Sequence, residues 1–436
     1  MIRSAVSKSS PALLLIVTSL ACGVDGRNDA AQTAGIDPTV GSAGGGSEGT
    51  EGGSSSTGAV DATGPAEGGG GDSESAGAED PMLPKFDIAY NPGDPAAECM
   101  AGPNDDQDND GWTKAQGDCN DCDEDVNPSA VEVVVTEPDD TGMIPAPADE
   151  NCDGLVDNLA PPCDDGLDLD ENDPLRAANA IGLCRVAAGP TDWGIVDAQW
   201  VRADGSPLVG GNLQYGFETQ WGDNVVAQEG ETMLVLSSGH ARTPGQTGSC
   251  DSLTCYGVGA GNAPNGFPQD VPACAGSLDI NDDVALEVTL RAPSNATGFS
   301  YNFDFYSFEY PEWVCTSFND QYIALVDPAP EGSVNGNISF DSMLNPVSVN
   351  IAFFEVCSGC NLGTAELDGT GFDVWDDAGA TSWLVTTAPV EGGEEFTIRF
   401  AIWDTGDSAW DSTVLVDNFR WLAGGGTVDV GTEPEG

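Results

Sequence analysis

The chain has 436 residues and a formal net charge of −61, from 73 Asp and Glu against 12 Lys and Arg. That balance excludes nucleic acid as a natural partner, because phosphate binding needs basic residues, and a surface of anionic lipid repels it. The length allows two or three domains of about 150 residues each, and most of the acidity serves as a solvated surface.

Arg3 and Lys8 precede an apolar run, Ala12 to Val17, that continues to Ala21. The run is too short for a membrane span and has the form of an export signal. It ends in Ser19-Leu20-Ala21-Cys22-Gly23, which resembles a bacterial lipobox, although the usual Leu stands one place further upstream. The resemblance implies a signal over 1–22, a lipid on Cys22 and, with Gly23 in place of Asp, an outer-membrane location. An ordinary cleaved signal is the alternative. Residues 23–95 are Gly, Ser, Ala, Thr, Glu and Asp with few large apolar side chains. They cannot bury enough surface to offset chain entropy and read as a disordered acidic tether.

Residues 96–160 are rich in Asp and Cys. Asp106, Asp108 and Asp110 alternate before Gly111 and Trp112. Asp118, Asn120, Asp121, Asp123 and Asp125 follow, then Asp149, Asn151, Asp153, Gly154 and Asp157. Alternating carboxylates and amides, with a Gly that permits a sharp turn, can wrap a hard cation, and calcium takes six to eight such oxygens. The expected calcium ligands are Asp106, Asp108, Asp110, Asp118, Asp121, Asp123, Asp149, Asn151, Asp153 and Asp157, with Trp112 and Leu155 offering backbone carbonyls. The place that an EF-hand fills with Glu is Gly117, so an EF-hand helix pair does not follow. With few core formers here, metal and disulfides must hold the segment together.

The chain has 13 Cys. Beyond Cys22, an even set remains: Cys99, Cys119, Cys122, Cys152, Cys163, Cys184, Cys250, Cys255, Cys274, Cys315, Cys357 and Cys360. An even set in an exported chain reads as structural disulfides, of undetermined connectivity. Two CxxC pairs also invite zinc or redox readings, but the sole His, His240, argues against zinc.

Residues 161–191 form a linker with a helix expected from Asp173 to Cys184, capped by Asp173 with Pro174 in its first turn. From 192 to 422 the pattern turns to β. Period-two alternation runs through Val284–Leu290, Phe299–Phe305 and Phe396–Ile402, with further strands at Tyr322–Val326, Val347–Val356, Trp383–Thr387 and Thr413–Trp421. Turn residues separate them. The fold class is therefore mainly β, an antiparallel jelly-roll-like β-sandwich, followed by a disordered tail at 423–436.

Two resemblances sharpen this reading. Asp106-x-Asp-x-Asp-Gly-Trp112, Gly117-Asp-Cys-Asn-Asp-Cys-Asp123, Val126-Asn-Pro-Ser-Ala130 and Asp149-Glu-Asn-Cys-Asp-Gly154 resemble the metal-binding motif of MopE-like bacterial surface proteins. That resemblance implies metal binding. One member type is associated with copper, but oxygen-only ligands favour calcium. Met233-Leu-Val-Leu-Ser-Ser-Gly239, Phe303 to Trp313, Ser317 to Ile323, and Ile402 to Ser412 with Val416-Asp-Asn-Phe419 resemble the choice-of-anchor L family. That resemblance implies an exported surface protein and no general activity.

Within the β region, Glu309, Asp320, Asp404, Asp407, Asp411, Asp417 and Asn418 are expected at strand ends or in loops. There they either build a second calcium site that orders a ligand-binding rim or serve turn chemistry. Tyr310, Trp313, Trp403 and Trp410 either stack on sugars or pack. His240 lacks a nucleophile elbow and reads as a loop residue. Asn295-Ala-Thr297 has the form of a glycosylation sequon that is expected to be chance.

The sequence therefore reads as a calcium-binding, non-catalytic cell-surface lipoprotein, outer-membrane-anchored or extracellular. Its sandwich would bind a polysaccharide or a surface protein, and it would meet the membrane only through Cys22. The alternatives are a jelly-roll glycoside hydrolase, which would need two facing carboxylates in a cleft, and a purely structural surface or matrix component. A shallow calcium-rimmed groove favours the first reading and a deep cleft the second.

Overall fold

A computed structural model describes residues 102–135, 144, 146–250, 252–272, 274, 276–351, 353–374, 377–424 and 427–435. The expectations for the signal, Cys22, the tether and Cys99 lie outside these residues.

The strands among them are β1 Gly194–Val201, β2 Tyr215–Glu218, β3 Gln220–Trp221, β4 Val225–Val226, β5 Met233–Ser237, β6 Ile280–Arg291, β7 Ala296–Ser307, β8 Gln321–Asp327, β9 Val347–Ser348, β10 Val356–Cys357, β11 Gly379–Ala380, β12 Leu384–Pro389, β13 Glu395–Thr405, β14 Ser412–Ala423 and β15 Gly431–Pro434. One sheet has the order β1-β6-β13-β8-β9. The other runs β10-β11-β7-β14-β5-β2, with β12 also pairing β7 and β15 pairing β12. The ladders in both sheets are antiparallel.

The alternating runs make this a sandwich. Val284, Leu286, Val288 and Leu290 of β6 and Phe396, Ile398, Phe400 and Ile402 of β13 meet Phe299, Tyr301, Phe303 and Phe305 of β7 in one apolar core. Phe299 stacks on Phe396 at 5.3 Å between centroids, and Phe400 meets Tyr301 edge-on at 5.0 Å. Burying each such side chain contributes about 1.5–3 kcal/mol. The alternate residues of β6 and β13 pair across the strands: Glu287 with Arg399, Thr289 with Thr397, and Arg291 with Glu395.

Alternation misses one thing: the outer faces are also covered. Trp221, Phe372 and Leu367 pack over Met233, Val235, Tyr306 and Leu415. Phe267 and Trp403 pack with Ala285, Ile323 and Ala401 on the other sheet. The β3–β4 pair and long loops supply these second layers.

The expected helix is shorter than its pattern. Helix α1 spans Pro174–Asn179, with the Asp173 side chain accepting from the Leu175 N–H as cap. Gly182, at φ 93°, ends the run in the left-handed conformation that glycine tolerates. The helix does more than link, because Ala177, Ala178 and Ile181 enter the main core.

Disulfides join Cys119–Cys152, Cys163–Cys184, Cys250–Cys255, Cys274–Cys315 and Cys357–Cys360. Cys122 is also disulfide-bonded. Only the second CxxC pair therefore closes on itself.

The Asp-rich segment lies against the sandwich. The side chain of Asn295 accepts from the Val131 N–H at 2.9 Å and donates to the Val131 carbonyl at 2.8 Å. Ser294 donates through its backbone to Ser129 and through its hydroxyl to Asn127 Oδ1. The β6–β7 turn thus holds the segment at one end of the sandwich.

Candidate metal centre

Two loops of the Asp-rich segment share one construction. In the first, Asp106 accepts from the Asn109 and Gly111 N–H groups, and Asp110 accepts from Trp112 at 2.7 Å. In the second, Asp149 accepts from Asp153 and Gly154, and Asp153 accepts from Leu155 at 2.8 Å. The sixth residue is glycine in both, Gly111 at φ 93° and Gly154 at φ 89°. A Cβ would strain that backbone.

These turns use only part of each carboxylate. Asp108 spends one oxygen on the Asp110 N–H, Asp118 one on Asn120, and Asp121 one on Gln107. The second oxygens of Asp108, Asp110, Asp118 and Asp121 are buried without a hydrogen-bonding partner. Asp106, Asp108 and Asp121 offer oxygens within 4.8 Å of one another, and so do Asp108, Asp110 and Asp118. Asp108 is common to both sets. Burial pushes the Asp118 carboxyl up to about 6, and the charges of Asp110, Asp108 and Asp121 add to it. Burial, then Asp108 and Asp106, raise Asp110 as well. A concentration of like charge with free oxygens suits a hard cation bound by oxygen alone.

The second loop gathers a different set. Glu132, Glu150 and Asp157 bring oxygens within 4.8 Å of one another. Oxygens of Glu132 and Asp157 are buried and unpartnered, and burial pushes Glu132 up to about 7. Sequence reasoning missed Glu132 and Glu150. Only the Asp149–Asp157 spacing pointed here, whereas Glu132 reaches the site through folding and is tied by the Asn151 N–H. Asn151 itself accepts from Asp153. The Cys119–Cys152 bond fastens the two loops together.

The structure leaves Asp123 outside both sets; it is exposed and caps its own turn at Asp125. Among the described residues no helix pair flanks the first loop: a 3₁₀ turn, Lys114–Gln116, follows it. An open groove of about 590 Å³ lies where this loop meets the sandwich, with Asp110, Trp112, Trp193 and Arg291 among its lining residues.

The acidic residues of the β region are mostly buried rather than placed on a rim. Asp404 lies within β13, and Asp417 and Asn418 lie within β14. Asp417 stands apart from the others: its carboxylate accepts from the Gln228, Glu229 and Asn418 N–H groups. Burial pushes it up to about 7. Asn418 donates to Asn302. Asp407 is exposed, whereas Glu309, Asp320, Asp404 and Asp411 are buried.

The aromatic candidates pack. Trp403 is in the core of its sheet, Tyr310 stacks on Phe354 at 4.0 Å, and Trp313 meets Trp410 edge-on. His240 Nδ1 bonds the Gly248 carbonyl at 2.8 Å. Its neighbours Cys250 and Cys255 are joined in a disulfide, so they give it no thiolate partners for a metal. Among the described residues no helix is long and apolar enough to cross a membrane.

No curated protein and no solved structure matches the chain. The Asp-rich loops lie outside the one matched region, residues 206–419. That stretch, the body of the sandwich, matches the model of the Choice-of-anchor L domain, which indicates a surface-associated, non-catalytic module at the cell surface.

Proposed function

We propose that this chain is an exported, lipid-anchored surface protein in which calcium holds the Asp-rich segment as a rigid module. The docked sandwich would bind a polysaccharide or another surface protein. One observation carries the calcium reading: Asp108, Asp110, Asp118 and Asp121 each keep one buried oxygen without a donor, while their other oxygens fix the loop. Ligands of this kind, without imidazole or thiolate, suit calcium better than copper or zinc. The partner reading rests on the groove beside Asp110, which Trp112 and Trp193 line next to the metal loop, the Trp193 ring carrying the Arg185 guanidinium over it.

Thermal unfolding of the full chain, with calcium titrated in and with chelator, tests the metal reading. A rise in Tm that saturates with calcium, unmatched by copper or zinc, is the expected result, because only a ligand preferring the folded state stabilises it. Asp108→Asn with Asp118→Asn should remove the loop's share of that rise. No difference between this double variant and the parent would sink the calcium module. A glycan array probed with and without calcium then tests the groove, and calcium-dependent retention lost with Trp112→Ala is the expected outcome.

A further inference from the structure

We infer that calcium gates the groove between the Asp-rich segment and the sandwich, and that Asn127 is the positioning residue that couples the two. The gate rests on the calcium reading of the first loop: an ion there seats the segment on the sandwich, and seating completes the groove.

The groove has two walls from different parts of the chain. Asp110, Glu124 and Ser129 come from the segment, whereas Trp193, Arg291 and Ser294 come from the sandwich. Neither wall makes the groove alone. The sandwich wall is fixed by its strands. There the β12–β13 turn lies against the β6–β7 turn: Ala292 donates its N–H to the Glu394 carbonyl, and a Cβ on Gly392 would collide with the Ser294 carbonyl. The segment wall is held differently. Ala130 is the one buried hydrophobic residue among those described in the segment, so polar contacts seat it. A region with so few buried apolar contacts opens more readily than the core.

Asn127 stands behind the junction and is 0% exposed. Its Nδ2 donates to the Glu124 carbonyl at 3.2 Å. Its Oδ1 accepts from the Ser129 N–H at 2.9 Å and from the Ser294 hydroxyl at 2.8 Å. Glu124, Ser129 and Ser294 all line the groove, so one buried amide joins both walls. The main chain supports it: the Asn127 N–H donates to the Glu150 carbonyl, and the Ser294 N–H donates to the Ser129 carbonyl. A buried amide engaged at both ends is costly to leave half-satisfied. The walls therefore meet in one arrangement or come apart.

Asp110 connects this junction to the ion. It lines the groove and also offers an oxygen to the set it shares with Asp108 and Asp118. Asp118 and Asp121 are 3% and 0% exposed, each with an unpartnered oxygen. Burial raises the Asp110 carboxyl, and the nearby Asn127 amide opposes that rise. Without an ion, Asp108, Asp110 and Asp118 repel one another beside the wall that Asn127 must hold. An ion removes the repulsion and fixes Asp110, together with the Trp112 N–H bonded to it. Seating is then a two-state element that the ion and a groove ligand both bias. Their binding is reciprocal, each raising the affinity of the other by the same factor.

The test is hydrogen exchange on the full chain, read at the amides of positions 131 and 294, which bond across the junction. Interior amides of β6 and β13 serve as the reference. Calcium alone is added, against sodium chloride of equal ionic strength. It should raise protection at both positions about tenfold, within the ~5–150-fold span of typical couplings, and leave β6 and β13 unchanged. Ser294→Ala removes one hydroxyl from Asn127 and keeps the turn. It should abolish most of that gain and weaken calcium binding, measured by equilibrium dialysis, by the factor lost in protection. A merely structural residue would lower protection equally with and without calcium and leave the calcium affinity alone. Asn127→Ala should show the larger effect, and Ser294→Ala decides if that variant does not fold. Calcium binding with unchanged protection, or a gain that survives Ser294→Ala, would overturn the gate and leave the metal reading standing. A gain matched by sodium chloride would overturn it as charge screening. No calcium binding at all would end both.

Discussion

The Asp-rich segment and the sandwich solve the same problem with different chemistry. The sandwich buries Phe299, Phe303, Phe400 and their neighbours between two sheets, so its order follows from apolar area. Among the described residues of the segment, Ala130 alone is hydrophobic and buried. Its order comes from carboxylates accepting backbone N–H groups, from the Cys119–Cys152 bond and from the Asn295 clamp. A carboxylate that spends one oxygen on its own loop has another left for a cation, whereas a phenyl ring has nothing left over. The difference teaches that low core content can itself accompany a site.

The two regions should therefore fail differently. Phe303→Ala opens a cavity in the sandwich and should cost about 3–5 kcal/mol, read as a lower denaturant midpoint for the whole protein. Cys119→Ser with Cys152→Ser should cost about 2–4 kcal/mol, and hydrogen exchange should place the loss in residues 102–158 while the sandwich strands stay protected. Protection lost equally in both regions would break the comparison. Asn295→Ala leaves the Val131 groups unpaired and should cost about 1–3 kcal/mol. Its signature is proteolytic cleavage near Val131 without a change in sandwich unfolding. Asp173→Ala removes the helix cap, should cost about 1 kcal/mol, and should lower the Tm of the sandwich, because α1 belongs to its core.

The smallest effect concerns pH. Asp118 and Glu132 hold their protons up to about 6 and about 7 when folded, above the values of about 4 of free carboxyls. The folded chain then binds more protons between these limits, so the segment's metal-free stability is greatest at low pH and falls as pH rises through the window. Solvent screening keeps the change modest. Saturating calcium should reverse the trend, since the ionised form is the one it binds. Exchange rates at pH 5 and pH 8, with and without calcium, would show whether the sign changes.

The sequence made the sandwich legible wherever one face was apolar and the other polar, as in β6, β7 and β13. It did not reveal the outer layers, because Trp221 lies in a two-residue strand, Phe372 in a single 3₁₀ turn and Phe267 in a loop, all too short or irregular to carry a period. The first metal loop was readable because Asp106, Asp108, Asp110 and Gly111 are adjacent in sequence. Asp123 shares their composition, but its turn faces outward. Glu132 and Glu150 were hidden because Glu132 reaches Asp157 only through tertiary folding. The expected rim failed for a related reason. Asp404, Asp320 and Glu309 resemble turn residues locally, yet the two sheets close over them.

The clamp at Asn295 has a practical consequence. Asn295-Ala-Thr297 is an acceptor sequence for oligosaccharide transfer in eukaryotic secretion. In the folded chain the Asn295 amide is buried and committed to Val131, so a glycan could be added only before folding and would then keep the segment from seating. Material secreted from a eukaryotic host should therefore divide into two populations. The glycosylated fraction would carry a loose segment and the bare fraction a docked one, and Thr297→Ala should collapse them to the docked form alone.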